Sequence, residues 1–296
     1  MTSCYNLPMN SITVNCPAKI NLTLEIVNKR EDGFHNIKSI MQTISLYDTL
    51  IIKVGEGDGE ILLSGNSSEI PYNEKNLVYR AAELFYRETG INNVRTEIYI
   101  DKNIPISAGL AGGSSDAAGT IFGLNELLGH PLKTIHKLCE TLGSDLNVCL
   151  EGGSILATSR GEVIKKLKPV KSKLTLIKPK NLGISAREAY TKYSNKTNKP
   201  QKNMTEKMLN AFDNNQDFSE YLYNDLEYAV FDDYKELKKI KEYIPNAVMS
   251  GSGSTYFVLG DKVNTDIPGD DYQIIKGLEF IETGVAISQC NNFVTN

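Results

Sequence analysis

The chain has 296 residues, 41% of them hydrophobic and 23% charged, with a net charge of −4. That is room for one large or two modest domains around a real core. The acidic balance argues against a nucleic-acid partner, which a basic excess would mark. No apolar run reaches the length of a membrane span.

The first ten residues read as a loose polar extension without the basic and apolar blocks of a signal peptide. Ser11–Cys16 and Ile20–Val27 alternate in polarity as two strands do, and Asp48–Val54 and Thr96–Ile100 read as further strands. Between them, Leu77, Ala81, Leu84 and Phe85 place a helix over Asn76–Thr89. Ala117, Ile121, Leu124 and Leu128 share one face of the next helix, which Gly129 and Pro131 stop. Ile135, Leu138 and Leu142 predict a short helix ending at Gly143. Strand patterns follow at Ser154–Thr158 and Leu174–Ile177. The lysine run Lys165–Lys173 reads as a solvated hairpin edge near a domain boundary, and Asn195–Asn203 as a loop. Asp225–Ile244 has the spacing of one amphipathic helix stopped by Pro245, and Thr255–Leu259 that of a buried strand. Strands and helices mix without strict alternation, so the fold class is α+β.

Cys4, Cys16, Cys139, Cys149 and Cys290 form no CxxC pair and are odd in number. Free thiols in a reducing cytoplasm are expected, not a disulfide framework or a zinc site. The composition leaves the oligomeric state open.

The stretch PISAGLAGGSSDAAG (Pro105–Gly119) carries the chemistry. It is not a Walker loop, because no lysine follows Gly112 or Gly113. The spacing of Gly109, Gly112 and Gly113 does not fit the dinucleotide fingerprint, and Ser114 does not sit in a hydrolase elbow. It retains the physics of an anion cradle: glycines expose backbone N–H groups, and a helix starting near Ser114, which is also its natural cap, turns its positive end toward them. Two more stretches stand out. PAKINLTLEI puts Lys19 at a strand head, ordinarily a surface lysine, and GSDLN puts Asp145 after a helix stop, ordinarily an N-cap. EDGFHN centres on an Asp-Gly turn.

In this order PAKINL, DGFHNI, NLVYRAA, IPISAGLAGGSSDAA, GSD, NDLE and MSGSGST resemble the GHMP kinase superfamily over nearly the whole chain. PAKINL with DGFH is most similar to its branch acting on a cytidine diphosphate-linked methylerythritol in isoprenoid precursor biosynthesis. The resemblance implies a two-domain fold: an α+β domain with the phosphate loop over residues 1–160 and a ferredoxin-like domain over 161–296. It implies transfer of the γ-phosphoryl of ATP, with Mg²⁺, to a substrate hydroxyl, Asp145 taking the proton and Lys19 supporting the developing charge. Pro105, Ile106, Ser107, Ala108, Gly109, Leu110, Ala111, Gly112, Gly113, Ser114 and Ser115 would wrap the triphosphate. Ser115 would face the metal, and Asn76 and Lys102 would lie near the nucleotide. Since the loop has no lysine of its own, Lys19, Lys102 and the metal are its candidate cations. Asn21, Phe34 and His35 fall at the substrate, the last two at the cytosine. Ser250, Gly251, Ser252 and Gly253 would brace the loop.

The chain departs from the pattern after the aspartate. Leu146, Asn147, Val148 and Cys149 stand where a valine, a proline and two phenylalanines are usual, and in ISAREAY Ser185 and Tyr190 fit while Ala186 replaces a threonine. The first departure predicts a looser Asp145. The competing readings are a GHMP-type kinase for another alcohol and a degenerate nucleotide binder. DGFH argues against the first, and the joint presence of Lys19 and Asp145 against the second.

Overall fold

Two long strands frame the molecule in the computed structural model, which describes residues 9–199, 202–261 and 264–288. Cys4, Cys290, most of the predicted polar extension and two residues of the loop expected at 195–203 lie outside these. β1 (Asn10–Lys29) pairs antiparallel with β2 (His35–Glu56) through a tight turn. The two segments read separately as Ser11–Cys16 and Ile20–Val27 are therefore one strand. Pro17, which has no N–H to give to a ladder, sits where the register shifts between Pro17 and Lys19.

β3 (Ile61–Gly65), α1 (Leu77–Thr89) and β4 (Val94–Asp101) follow, with β3 parallel to β4 and β4 antiparallel to β2. After the glycine loop come α2 (Gly112–Leu127), α3 (His136–Leu142) and α4 (Leu146–Glu151). The hairpin β5 (Ser154–Ser159) and β6 (Val163–Lys166) adds to β2. The hairpin spans residue 160, so the first sheet runs on to Lys166 and the chain changes sheets over 167–172.

The second half carries β7 (Lys173–Pro179), α5 (Ala186–Asn195), α6 (Met204–Asp213), β8 (Tyr223–Asn224), α7 (Asp225–Val230), α8 (Lys235–Tyr243), β9 (Val248–Met249), β10 (Tyr256–Leu259), β11 (Tyr272–Glu279) and β12 (Ala286–Ile287). Its sheet has the order β11-β7-β10-β9 and is antiparallel throughout. β8 and β12 return to pair with β1, so the halves share the first sheet.

The single helix expected over Asp225–Ile244 is two. The chain breaks after a short turn at Phe231–Asp233, and Tyr234 is extended (φ −126°, ψ 113°). Val230 and Leu237 are seven residues apart, which preserves helical phase and hides the break. Aspartates are poor helix formers, and the break lets Asp233 pair with Lys192 of α5 at 2.6 Å while Tyr234 donates to Glu188 on the same helix.

The core explains the sequence of β1. One face of the sheet packs on α1, α2 and α3 through residues such as Val14, Leu50, Phe85, Ile121 and Leu124. On the other face Ile20, Leu22, Ile40 and Ile44 meet Leu174, Leu176 and Phe257 of the second sheet. With cover on both faces, Cys16–Leu24 is buried without interruption, and the site's polar residues on this strand stand in a dry setting.

Candidate active site

Between the two halves lies a cavity of about 800 Å³ lined by the glycine loop, the β1–β2 turn, Asp145 and one face of α5. The loop forms its floor. α2 starts at Gly112, two residues before the predicted start, and Ala111 occupies the cap position at φ 59° with no side-chain cap. An alanine held left-handed costs about 1–2 kcal/mol and is typical of a backbone shaped for a ligand. The first bond closing the helix runs from the Ser115 N–H to the Ala111 carbonyl at 2.9 Å. The N–H groups of Gly112, Gly113 and Ser114 therefore have no carbonyl within the helix to bond. Gly109, Ala111 and Ser114 face the cavity, while Ala108 and Leu110 bury their side chains below and anchor the loop.

Ser115 corrects the sequence reading. Starting the helix earlier turns it inward, its residue is 0% exposed, and its hydroxyl finds no hydrogen-bond partner among the described residues. It is not presented to a metal; Ser114 is the hydroxyl on the cavity surface. Asn76 caps α1, accepting from the Val78 N–H at 2.9 Å and donating to the Pro71 carbonyl at 2.7 Å. Lys102 is 6% exposed under the start of α2, donating to Asp48 and, at 2.9 Å, to Asp116. Both carboxyl groups hold its ammonium, so it is not a free cation for the loop. Burial raises the Asp116 carboxyl to about 7, Lys102 pulling it back and Asp48 adding to the rise. Asp48 accepts from the N–H groups of Asn103 and Ile104 at 2.6 and 2.8 Å, fixing the chain where it enters the loop. Asp48 and Asp116 escaped the sequence reading because no local pattern joins them to Lys102.

Lys19 and Asp145 meet beside the loop. The Lys19 ammonium is 3.3 Å from the Asp145 carboxylate, with side chains 4% and 30% exposed. It also donates to Asn21 Oδ1 at 2.8 Å and to the Gly109 carbonyl at 3.3 Å. Asp145 stands at the cap position of α4 but makes no cap hydrogen bond, so its carboxylate is left to Lys19 and the cavity. Behind it Leu146, Val148 and Cys149 are fully buried; the substituted run packs tightly where a looser aspartate was expected. Asn21 is held in turn by donating to Ser39 at 2.9 Å.

The third glycine motif braces the loop. Ser250 Oγ donates to the Gly109 carbonyl at 3.0 Å and accepts from the Asn21 N–H at 3.3 Å. Gly109 (φ 76°) and Gly251 (φ 54°) pack backbone to backbone: a Cβ on Gly109 would run into the Ser250 carbonyl, and one on Gly251 would lie 2.9 Å from the Gly109 carbonyl. Asn224 of the NDLE stretch donates to the Met249 and Gly251 carbonyls at 2.6 and 2.8 Å. That stretch is a bracket, not a reactive group.

At the far end EDGFHN is both the predicted turn and a cavity wall. Arg30 and Phe34 close it by a 2.8 Å backbone bond. Phe34 is 54% exposed and lines the cavity, and His35 is buried, stacked on Tyr190 with ring centroids 5.1 Å apart and bonded to Ser194 at 2.9 Å. Burial, then the charges of Lys29 and Lys199, lower the His35 pKa, which favours a neutral imidazole. Arg160 and Arg187 also line the cavity. Sequence reasoning missed both, since an isolated arginine carries no signal.

Free helix amides above a lysine–aspartate pair, on this two-sheet α+β frame, define a small-molecule kinase of the GHMP class, which uses ATP as phosphate donor. The GHMP kinases N terminal domain family matches residues 76–153. A 4-diphosphocytidyl-2-C-methyl-D-erythritol kinase of Clostridium perfringens is 38% identical, over 84% of this chain and 88% of that protein. One of Clostridium tetani is 40% identical, over 81% and 88%. A solved 4-(cytidine 5′-diphospho)-2C-methyl-D-erythritol kinase superposes with a TM-score of 0.70 at 30% identity, over 84% of this chain and 90% of that one. The homoserine kinase of Cytophaga hutchinsonii, 16% identical with a TM-score of 0.74, shares the fold. The chain belongs to the 4-diphosphocytidyl-2-C-methyl-D-erythritol kinase family.

Proposed function

We propose that this protein transfers the γ-phosphoryl group of ATP to a hydroxyl of 4-diphosphocytidyl-2-C-methyl-D-erythritol, in the cytoplasm. The buried thiols Cys16, Cys139 and Cys149 are free, in keeping with a reducing compartment. The observation that carries the reading is the Asp145 carboxylate, free of cap duty and 3.3 Å from a buried ammonium, at the edge of a cradle of unpaired amides.

In this mechanism the N–H groups of Gly112, Gly113 and Ser114 and the positive end of α2 hold phosphate oxygens. Asp145 accepts the proton of the attacking hydroxyl. Lys19, held by Asn21 and the Gly109 carbonyl, keeps Asp145 in place and supports the negative charge that grows on the acceptor oxygen. Phe34 gives an aromatic face to the cytosine, and the neutral His35, clamped by Tyr190 and Ser194, fixes the turn that carries it. Magnesium fits as an ion carried mainly by phosphate oxygens and water: Ser114 and Asp145 face the cavity, and no group of three or more acidic, histidine or cysteine ligands exists among the described residues. When bound it neutralises charge on the terminal phosphates. The first half of the chain thus supplies cradle and base, and the second supplies α5 and the brace.

The test is ADP release by the purified protein with ATP, Mg²⁺ and the diphosphocytidyl alcohol. Acceptor-dependent ADP is expected. ATP binding without turnover on this acceptor, with EDTA making no difference, overturns the reading.

A further inference from the structure

We propose that Arg160 and Arg187, assisted by Lys29, bind the diphosphate of the acceptor and so set the preference of this site for a nucleoside diphosphate-linked alcohol. This deepens the acceptor reading above and rests on it.

An acceptor of that kind has three parts in series: a base, a diphosphate and the reacting alcohol. The two ends of the cavity match the outer parts, Phe34 and His35 at one end and Asp145 at the other. Arg160 lies between them. Its guanidinium carbon is 5.3 Å from the centroid of the Phe34 ring. The next residue, Gly161, abuts the catalytic end: a Cβ there would lie 3.3 Å from the Ser144 Cβ and 3.9 Å from Asp145 Oδ1. Arg187, near the start of α5, also lies between residues that reach the two ends. It is three residues before Tyr190, whose ring stacks on His35, and three after Ile184, whose carbonyl accepts from Ser252 beside the glycine loop. Positions three apart on a helix share a face, and both Arg187 and Tyr190 line the cavity. Lys29 ends β1 directly opposite His35.

The charge balance agrees. Lys19, Lys29, Arg160 and Arg187 line the cavity against Asp145 as its one carboxylate among the described residues, in a chain whose net charge is −4. Lys19 is committed to Asp145. The side chain of Arg187 has no ion-pair partner among the described residues, and Arg160 has a long contact, 3.5 Å, to Glu162, which is not one of the residues lining the cavity. Nearby Asp32 is engaged by Arg30 at 2.9 Å. The site therefore holds a surplus of guanidinium groups, which bind phosphate oxygens in pairs of parallel hydrogen bonds.

The experiment uses cytidine, CMP and CDP as probes against Arg160→Ala, Arg187→Ala, the double variant and Arg187→Lys. Inhibition constants are measured against the acceptor, and affinities by calorimetry with the ATP site filled by a non-hydrolysable analogue. Wild type should prefer CDP to cytidine by at least about tenfold, and each alanine should raise the acceptor KM by about tenfold, as loss of one charge-assisted bond does. The double variant should bind CDP and cytidine nearly alike, with the KM for ATP within about twofold of wild type, and Arg187→Lys should recover part of the loss. An unchanged CDP-to-cytidine ratio in the double variant, or a KM for ATP rising in step with that for the acceptor, overturns the proposal. Absence of wild-type turnover with the CDP preference still present, and lost in the double variant, overturns the acceptor reading while leaving the diphosphate site standing.

Discussion

Replacing Asp145 by asparagine isolates the chemistry from the architecture. Asparagine keeps the shape and removes the charge and the ability to take a proton. In the structure Lys19 would lose its anionic partner at 3.3 Å but keep Asn21 Oδ1 at 2.8 Å and the Gly109 carbonyl at 3.3 Å. The ammonium stays hydrogen-bonded, so the cost to folding is about 1–2 kcal/mol. At an effective dielectric of about 20 the lost attraction is about 5 kcal/mol before solvent screening, and Asp145 is 30% exposed, so much of that is screened. The kinetic loss is larger than the structural one. A positioned base gives about 10²–10⁴ in rate, or about 3–5 kcal/mol of transition-state stabilisation. Asp145→Asn should therefore lower kcat by that factor, with KM for ATP within a few-fold and a cooperative melt. ADP release measured with a coupled assay, beside ATP affinity and Tm, separates the two. A kcat within threefold of wild type would refute the assignment of Asp145 as base.

The two serines of the loop should separate: Ser114→Ala raises the KM for ATP by several-fold, whereas Ser115→Ala, whose buried hydroxyl lacks a partner, leaves KM and kcat near wild type, both read from initial rates. Gly109→Ala puts a Cβ into the Ser250 carbonyl at a positive φ; a Tm drop with at least about tenfold weaker ATP binding is expected by calorimetry, a cost of about 1–3 kcal/mol. Asp116 should be visible in stability against pH. Its pKa rises from 3.8 to about 7 on folding, so the folded chain holds a proton that the unfolded chain has released. Its stability contribution is present below pH 4 and lost as pH rises through 7. Asp116→Asn lacks that loss, so its Tm relative to wild type should climb between pH 5 and 7.5; a constant or falling difference in parallel melts would contradict it.

What the sequence made legible was local. The glycine loop, Lys19 and Asp145 stand in short motifs whose residue types the chemistry requires, and the structure brings all three to one cavity. What escaped was set by long-range packing. Ser115 is expected at the metal, but a helix start at Gly112 instead of near Ser114 turns it under the helix, where Ala118 and Ile121 are buried. The resemblance puts Lys102 near the nucleotide, yet Asp48, 54 residues earlier, and Asp116 claim it. The break at Tyr234 left the helical period intact and answers to ion pairs with α5 that no periodicity reports.

The same reasoning explains why the motifs of the second half sit so far along the chain from the loop they serve. Glycine-rich backbone is costly to order, and α2 supplies no side-chain cap to hold its own start. The order comes from outside. Ser250 fixes the Gly109 carbonyl, Lys19 fixes the Leu110 carbonyl through its N–H at 3.0 Å, and Asn224 fixes the carbonyls on either side of Ser250. Asp225 then accepts from the Ile26 N–H at 2.7 Å, tying the bracket back to the strand that carries Lys19. Loop, ammonium and brace thus close one hydrogen-bonded circuit across both halves. The positions of Asp145's partner and of the free amides at the start of α2 are set together, as the proposed in-line transfer between two bound substrates would demand.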